Sequence, residues 1–205
     1  MLERLYKELA WAYDGISWLV SLGRWQTWIR VALRYVRGER VLEVGCGTGR
    51  LLVALAEGRQ VWGYDLSRAM LRQARRRLAR TGLQVPLCRG RAQSLPFAAE
   101  AFGSVVCTFP SAYIDSPSTW AEFRRVLVPG GRAVVVYGAA LGELSPFRRL
   151  ARMLLVLGRV SKPAKAAHRD TPDLPGLRTL RLIVTEAGEQ VHLLVAERDD
   201  AADAG

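Results

Sequence analysis

Between residues 39 and 138 the chain alternates two hydrophobic patterns. Short runs that are apolar on both faces, "RVLEVG" (40 to 45), "QVWGYD" (60 to 65), "VPLCRG" (85 to 90), "SVVCTF" (104 to 109) and "RAVVVYG" (132 to 138), read as buried strands. Stretches whose apolar residues recur every three or four positions separate them and predict helices over 50 to 57, 67 to 80 and about 117 to 127. Strands buried on both faces that alternate with helices predict a parallel sheet covered on each side. Farther on, "LRTLRLIVTEAGEQVHLLVAER" (177 to 198) holds two β-rich runs joined by Glu186-Ala187-Gly188-Glu189, a hairpin signal. The fold class expected is α/β: a doubly wound, mostly parallel seven-stranded sheet with helices on both faces and a C-terminal antiparallel hairpin.

The flanks follow other patterns. Residues 2 to 36 have apolar residues at helical spacing, interrupted at "YDGIS" by Asp14 and Gly15, and predict an N-terminal helical lid of two short helices. "LSPFRRLARMLLVLGRV" (144 to 160) predicts an amphipathic helix carrying Arg148, Arg149, Arg152 and Arg159, and 161 to 176 reads as loop. The organisation expected is a lid over 1–36, one α/β domain over 37–198 with a helix-and-loop insertion at 141–176, and a frayed tail at 199–205.

Composition narrows the chemistry. With 205 residues, half of them apolar, the chain suits one domain with a real core. Its net charge of +11 is nearly all arginine, spread along the whole length; it reads as a solvated basic surface or as attraction to an anionic partner. Cys46, Cys88 and Cys107 are far apart in apolar or glycine-rich surroundings and read as buried thiols, neither a disulfide frame nor a metal site. His168 and His192 are isolated, so no metal is expected and a Ser-His-Asp mechanism has little to build on. The start of the chain carries acids and aromatics in place of a basic head and apolar run, and no stretch of about eighteen apolar residues occurs. A cytoplasmic protein is expected.

"ERVLEVGCGTGRLLVAL" (39 to 55) carries the site. Gly45, Gly47 and Gly49 follow the first strand and precede a helix, at the carboxyl edge where open α/β sheets bind ligands. Bare backbone there lets a ligand approach the main chain. The spacing departs from Gly-x-Gly-x-x-Gly, and the Gly-Lys-Ser/Thr of a phosphate loop is absent. Glu43, two residues before the first glycine, disfavours a pyrophosphate and favours a cationic amino-acid head. Asp65 ends the second strand, where a carboxylate can accept from both ribose hydroxyls; it can also cap the following helix, a task for which Ser67 is available. The ligand inferred is an adenosine with a positively charged tail and no phosphate, which S-adenosylmethionine fits.

"VLEVGCGTGRLL", "GYDLSRAML", "GRAQSLPFAAEAFGSVVC" and "FRRVLVPGGRAVVV" resemble, in order and spacing, the motifs of class I S-adenosylmethionine-dependent methyltransferases of type 11, over about residues 39 to 137. The lead segment "YDGISWLVSLGRWQTWIR" is also similar to that of the ubiquinone/menaquinone C-methyltransferases, sharing Tyr13-Asp14, Ser21-Leu22-Gly23 and Trp28, although those enzymes usually have Asn where Ser17 stands. The resemblance implies a Rossmann-like sheet in which Glu43, Gly45, Cys46, Gly47 and Gly49 frame the methionine moiety and Asp65 holds the ribose. It implies Leu66 and Met70 beside the adenine, "GRAQSLPF" closing over the base, and Thr108 near the sulfonium. Family members commonly have an acid where Arg91 sits, so the adenine amino contact passes to Ala92 or Gln93. Tyr13 joins the donor site from the lid.

Methyl transfer from a sulfonium needs alignment and exclusion of water more than a dedicated base. The acceptor site is expected after the fourth strand, where this chain reads "TFPSAYID" and lacks the Asn/Asp-Pro-Pro-aromatic sequence of related enzymes that methylate nucleic-acid amino groups. Nucleic acid is therefore disfavoured. Phe109 and Tyr113 become pocket residues, and Tyr113 and Asp115 the acid/base candidates. Trp11, Tyr13, Trp18, Trp25 and Trp28 concentrate aromatic bulk of the kind that packs a core; the resemblance implies instead a lid in which Trp11, Tyr13 and Trp18 line an apolar acceptor pocket. The helix over 144 to 160 either packs on the sheet or touches an anionic membrane surface, which would make the protein membrane-peripheral. The function expected is methyl transfer to a small or lipid-like acceptor such as a quinol, phenol or phospholipid head. The alternatives are an RNA/DNA methyltransferase and a non-catalytic S-adenosylmethionine-binding protein.

Overall fold

The computed structural model describes residues 25–140 and 174–199. Seven strands form one sheet in the order β3-β2-β1-β4-β5-β7-β6. β1 (Arg40–Val44), β2 (Gln60–Asp65), β3 (Leu87–Arg89), β4 (Phe102–Thr108) and β5 (Leu127–Ala140) run parallel. β6 (Leu177–Glu186) and β7 (Glu189–Arg198) form an antiparallel hairpin, and β7 pairs antiparallel with β5.

The alternation in the sequence becomes two cores. Leu42, Val44, Tyr64, Val105, Cys107 and Val135 face one side, where helix α4 (Pro117–Val126) covers them with Trp120 and Phe123. Val41, Val61, Val106, Val134 and Leu193 face the other, beneath α1 (Trp25–Val31), α2 (Arg50–Leu55) and α3 (Arg68–Arg80). Each such side chain, fully buried, contributes about 1.5–3 kcal/mol, which is why strands apolar on both faces need a helix layer on both.

Most element bounds agree with the hydrophobic pattern to within a few residues, with three differences. β3 is only Leu87–Arg89, because Pro86 has no N–H and joins β2 through its carbonyl alone. β4 starts at Phe102, two residues before the expected strand, and Gly103 within it packs against the backbone of Arg37 and Gly38, where a Cβ would come within 2.9 Å. β5 extends to Ala140 because β7 pairs along its far half. The hairpin turn is where the sequence puts it, with Ala187 and Gly188 both at positive φ (51° and 79°).

Of the lead segment, α1 and the 3₁₀ turn Ala32–Tyr35 belong to the body of the domain: Trp28, Ile29, Val31 and Ala32 are buried. Trp28 donates its indole N–H to Glu189 at the start of β7 and lies against Phe109, centroids 6.2 Å apart. Trp11, Tyr13, Trp18, the helix expected over 144 to 160 and most of the loop after it lie outside the described residues. Cys46 and Cys107 are buried free thiols; Cys88, expected to be buried, is half-buried on short strand β3. Among the described residues no helix is long and apolar enough to cross a membrane, and no group of His, Cys, Asp and Glu is placed to hold a metal ion.

Candidate active site

Strand order places the cleft. From β1 the chain winds outward to β2 and β3, then returns to lay β4 on β1's other side. The loops after β1 and β4 therefore diverge, and a gap opens between them at the carboxyl edge. It is lined by Ile29 of α1, Glu43, Gly45, Cys46, Gly47, Thr48, Arg50, Leu51 and Thr108. A wider cleft of about 540 Å³ lies at the opposite edge, between the end of α3 and the approach to β3, but Arg75 and Gln84 are the only long polar side chains lining it. The cleft at the glycine loop, lined by Glu43 and the loop itself, is the candidate site.

That loop is built rigidly. Gly45, Gly47 and Gly49 have φ of 75°, 53° and 75°. A Cβ on Gly45 would come within 2.7 Å of the Tyr113 hydroxyl and one on Gly49 within 3.0 Å of Ala74, whereas one on Gly47 would meet nothing within 4 Å. Two glycines thus fit tight packing and the central one faces open space. The Gly45 and Cys46 N–H groups both donate to the Tyr64 carbonyl (2.7 and 3.1 Å). From α3, Arg77 donates to the carbonyl and the hydroxyl of Thr48 (2.6 and 2.7 Å).

Asp65 ties the loop to β2. One oxygen accepts from the Gly47 N–H at 2.8 Å and the other from the Ser67 N–H at 2.7 Å. Ser67 in turn caps α3 by accepting from the Met70 N–H. Asp65 thus braces both the glycine loop and the start of α3, and each oxygen keeps acceptor capacity for a hydroxyl. Burial pushes its carboxyl above the ordinary value, against the lowering by those two N–H groups.

Glu43 is 1% exposed, and its Oε2 has no hydrogen-bond partner among the described residues. Burial, and then the charge of Asp65, hold its pKa well above the ordinary carboxylate value. Neither carboxylate has an ion pair among the described residues. A buried and a half-buried acid beside an open glycine suit a ligand that brings a positive charge and hydroxyl groups.

The chain matches the family described as "Methyltransferase domain" over residues 41–131. It is 30% identical to the 2-phytyl-1,4-naphtoquinone methyltransferase of Synechococcus elongatus, across 95% of this chain and 86% of that protein. It belongs to the S-adenosylmethionine-dependent methyltransferases. Another relative, the demethylmenaquinone methyltransferase of Symbiobacterium thermophilum, is 34% identical over 73% of this chain, a match spanning 62% of that protein's length. A solved structure of similar fold is a possible histamine N-methyltransferase of Thermotoga maritima, with TM-score 0.60 and 18% identity over 95% of this chain and 98% of that one. The cofactor of this methyltransferase family is S-adenosylmethionine, and the orphaned Glu43 oxygen and the open face of Gly47 fit its charged amino-acid end.

The remaining residues singled out from the sequence fall around the same edge. Leu66 is 46% exposed directly after Asp65, and Met70 is buried on α3. Ala92 is buried and Gln93 half-buried in the loop after β3, and Thr108 lines the cleft. Phe109 adopts φ of 49°, so the chain turns as it leaves β4 and sets its ring against Trp28. Tyr113 lies beneath the glycine loop and donates its hydroxyl to the Val44 carbonyl at 3.1 Å. Burial and the neighbouring Cys107 push its pKa well up, while burial raises the Cys107 thiol to about 12. Asp115 is exposed at the end of the same 3₁₀ turn, Ala112–Asp115.

Long-range contacts that no local pattern announces hold the loop over 91–97 in place. Glu122 accepts from the Leu95 N–H at 2.6 Å and pairs with Arg125, which donates to the carbonyls of Leu95 and Phe97 (3.0 and 2.8 Å). The Tyr64 hydroxyl donates toward the carbonyls of Arg91 and Ser94. The Glu-Arg pair three residues apart on α4 was visible in the sequence; its target, nearly thirty residues earlier, was not.

Proposed function

We propose that the protein transfers the methyl group of S-adenosylmethionine to a small or lipid-like, largely apolar acceptor with a ring hydroxyl, a quinol or phenol. The observation that carries the reading is the pair of buried Glu43 and half-buried Asp65, neither with an ion pair among the described residues, on either side of an open glycine. In this reading Glu43 faces the cationic end, Asp65 accepts from the ribose hydroxyls, and Leu66, Met70, Ala92 and Gln93 surround the adenine. Gly45, Cys46, Gly47 and Gly49 seat the methionine portion, with Thr108 at the sulfonium. Tyr13 belongs to the lid side of the same site, with Trp11 and Trp18 toward the acceptor.

When bound, the donor supplies a methyl group already activated for in-line displacement. The chain's part is to align and to keep water out, effects that can supply about 7–11 kcal/mol. Phe109, next to Thr108 and half-buried with its ring against buried Trp28, is the aromatic side chain we assign to the acceptor side. Tyr113 serves as a brace for the glycine loop rather than as a base, since its proton is committed to the Val44 carbonyl and its pKa is raised. Asp115, on the exposed side of the same turn, is the acid/base group we retain. The relatives named for demethylmenaquinone and phytylnaphthoquinone support the quinol class. The post-β4 sequence, without Asn/Asp-Pro-Pro, argues against bases of nucleic acids.

The test is transfer of labelled methyl groups to a reduced naphthoquinone, to simple phenols, to phospholipid and to RNA. Label in the quinol or phenol supports the reading. Label in RNA alone, or donor binding without transfer to any of the four, overturns it.

A further inference from the structure

Arginine in this chain serves two different ends. On the C-terminal strands it is paired: Glu197 meets Arg132, Arg178 and Arg37, and Glu186 meets Arg34. Between residues 66 and 99 there are eight arginines and no Asp or Glu, so this segment alone carries +8 of the net +11. The sequence reading treats the basic charge as spread; the fold gathers it. Arg68, Arg72, Arg75, Arg76 and Arg80 are exposed along one side of α3, opposite the buried Met70, Leu71, Ala74 and Leu78. Among the described residues, none of the five guanidinium groups has an ion pair or hydrogen bond. Arg77, on the boundary, is the one turned to the glycine loop. The row spans about 18 Å from Arg68 to Arg80 at helical rise. It begins next to the site, because Arg68 follows the Ser67 cap and exposed Arg89 donates to the Leu66 carbonyl.

We infer that the outer face of α3 docks the protein on an anionic lipid surface, holding the mouth of the cleft at the bilayer that carries the acceptor. This rests on the lipid-like acceptor proposed above. The complementarity is of charge alone: the apolar side of α3 is committed to the core, so the face adsorbs and does not insert. A row of guanidinium groups matches lipid phosphates, each basic residue near such a surface contributing about 1 kcal/mol. Single-stranded nucleic acid fits less well, since no aromatic residue occurs between 66 and 96 on which a base could stack.

The test is co-sedimentation of the full chain with phosphatidylcholine vesicles, with vesicles also containing phosphatidylglycerol, and with single-stranded RNA as competitor. Wild type should bind only the phosphatidylglycerol vesicles, and raised salt should release it. The variant R72Q/R76Q/R80Q should bind them on the order of 100-fold more weakly. R34Q/R178Q/R181Q, with the same change of net charge on the opposite edge of the sheet, should keep most of the affinity. Equal losses in the two triple variants, binding to phosphatidylcholine alone, or release of the vesicles by RNA at lower concentration than phosphatidylglycerol would overturn the inference. Transfer to a soluble quinol should be unchanged in R72Q/R76Q/R80Q. Vesicle binding without any quinol methylation would instead sink the acceptor assignment and leave the docking face standing.

Discussion

The carboxylates at the two ends of this sheet live under opposite conditions. Around β5 to β7 and α4, Glu197 and Glu122 sit against arginines, which hold their pKa below the ordinary value. At the carboxyl edge of β1 and β2, Glu43 and Asp65 are more deeply buried, face no arginine partner among the described residues, and are held above it. In a chain with 30 basic residues and 19 acidic ones, an acid without a cation is not for want of cations. The first set stabilises the fold. In the reading proposed above, the second set costs stability in the free protein and becomes favourable when a positive ligand arrives, which would distinguish a binding site from scaffold.

The largest expected effect is on the loop that separates the two acids. Gly45→Val places a branched side chain at φ of 75° against the Tyr113 hydroxyl. We expect a loss of about 3 kcal/mol, a fall in Tm on the order of 10 °C by scanning calorimetry, and no measurable binding of S-adenosylhomocysteine. Next comes Asp65→Ala. It should weaken S-adenosylhomocysteine about tenfold or more, a charged hydrogen bond being worth roughly 1.5–3 kcal/mol; unchanged affinity by titration calorimetry would remove Asp65 from the site.

Glu43→Gln divides the two roles of one residue. It should weaken donor binding severalfold while making the free protein more stable near neutral pH. The sign follows from burial: the folded carboxyl has the higher pKa, so the folded chain binds the extra proton and its stability falls as pH rises above the ordinary carboxylate value toward the folded one. The variant should lack that fall in urea titrations across pH. The smallest effect is expected at the paired end. Glu197→Gln should cost roughly 1 kcal/mol or less and leave donor affinity alone. Because the Glu197 pKa is lowered, its contribution is present above the ordinary carboxylate value and fades as pH falls through the folded one, the reverse of Glu43.

How much of this was legible in the sequence depended on how local the cause was. The five strands and three helices between 39 and 138 follow from side-chain periodicity within each segment, and Glu186 to Glu189 announced their turn. Glu43, the glycines and Asp65 were legible because a strand end, a glycine loop and a following strand end lie within about two dozen residues. What escaped was set by distant pairing. The length of β5 depends on β7, Trp28 meets Glu189 across 161 positions, and the clamp of Glu122 and Arg125 on Leu95 and Phe97 joins a helix to a loop it follows. The arginine row on α3 was present as letters, but only the fold shows which of its members are unpaired. Tyr113 looked like an acid/base residue from its place after β4; its contact with the Val44 carbonyl could not be read from spacing.

The most direct measurement is a calorimetric titration of the purified full chain with S-adenosylmethionine, in parallel for wild type and Glu43→Gln, near neutral pH. We expect wild type to bind in the micromolar range and the variant to bind more weakly, although it is the more stable of the two in the absence of ligand. No heat of binding for wild type at millimolar ligand, or equal affinity in the two proteins, would contradict the view that the unpaired acids beside the glycine loop are there to receive a cation.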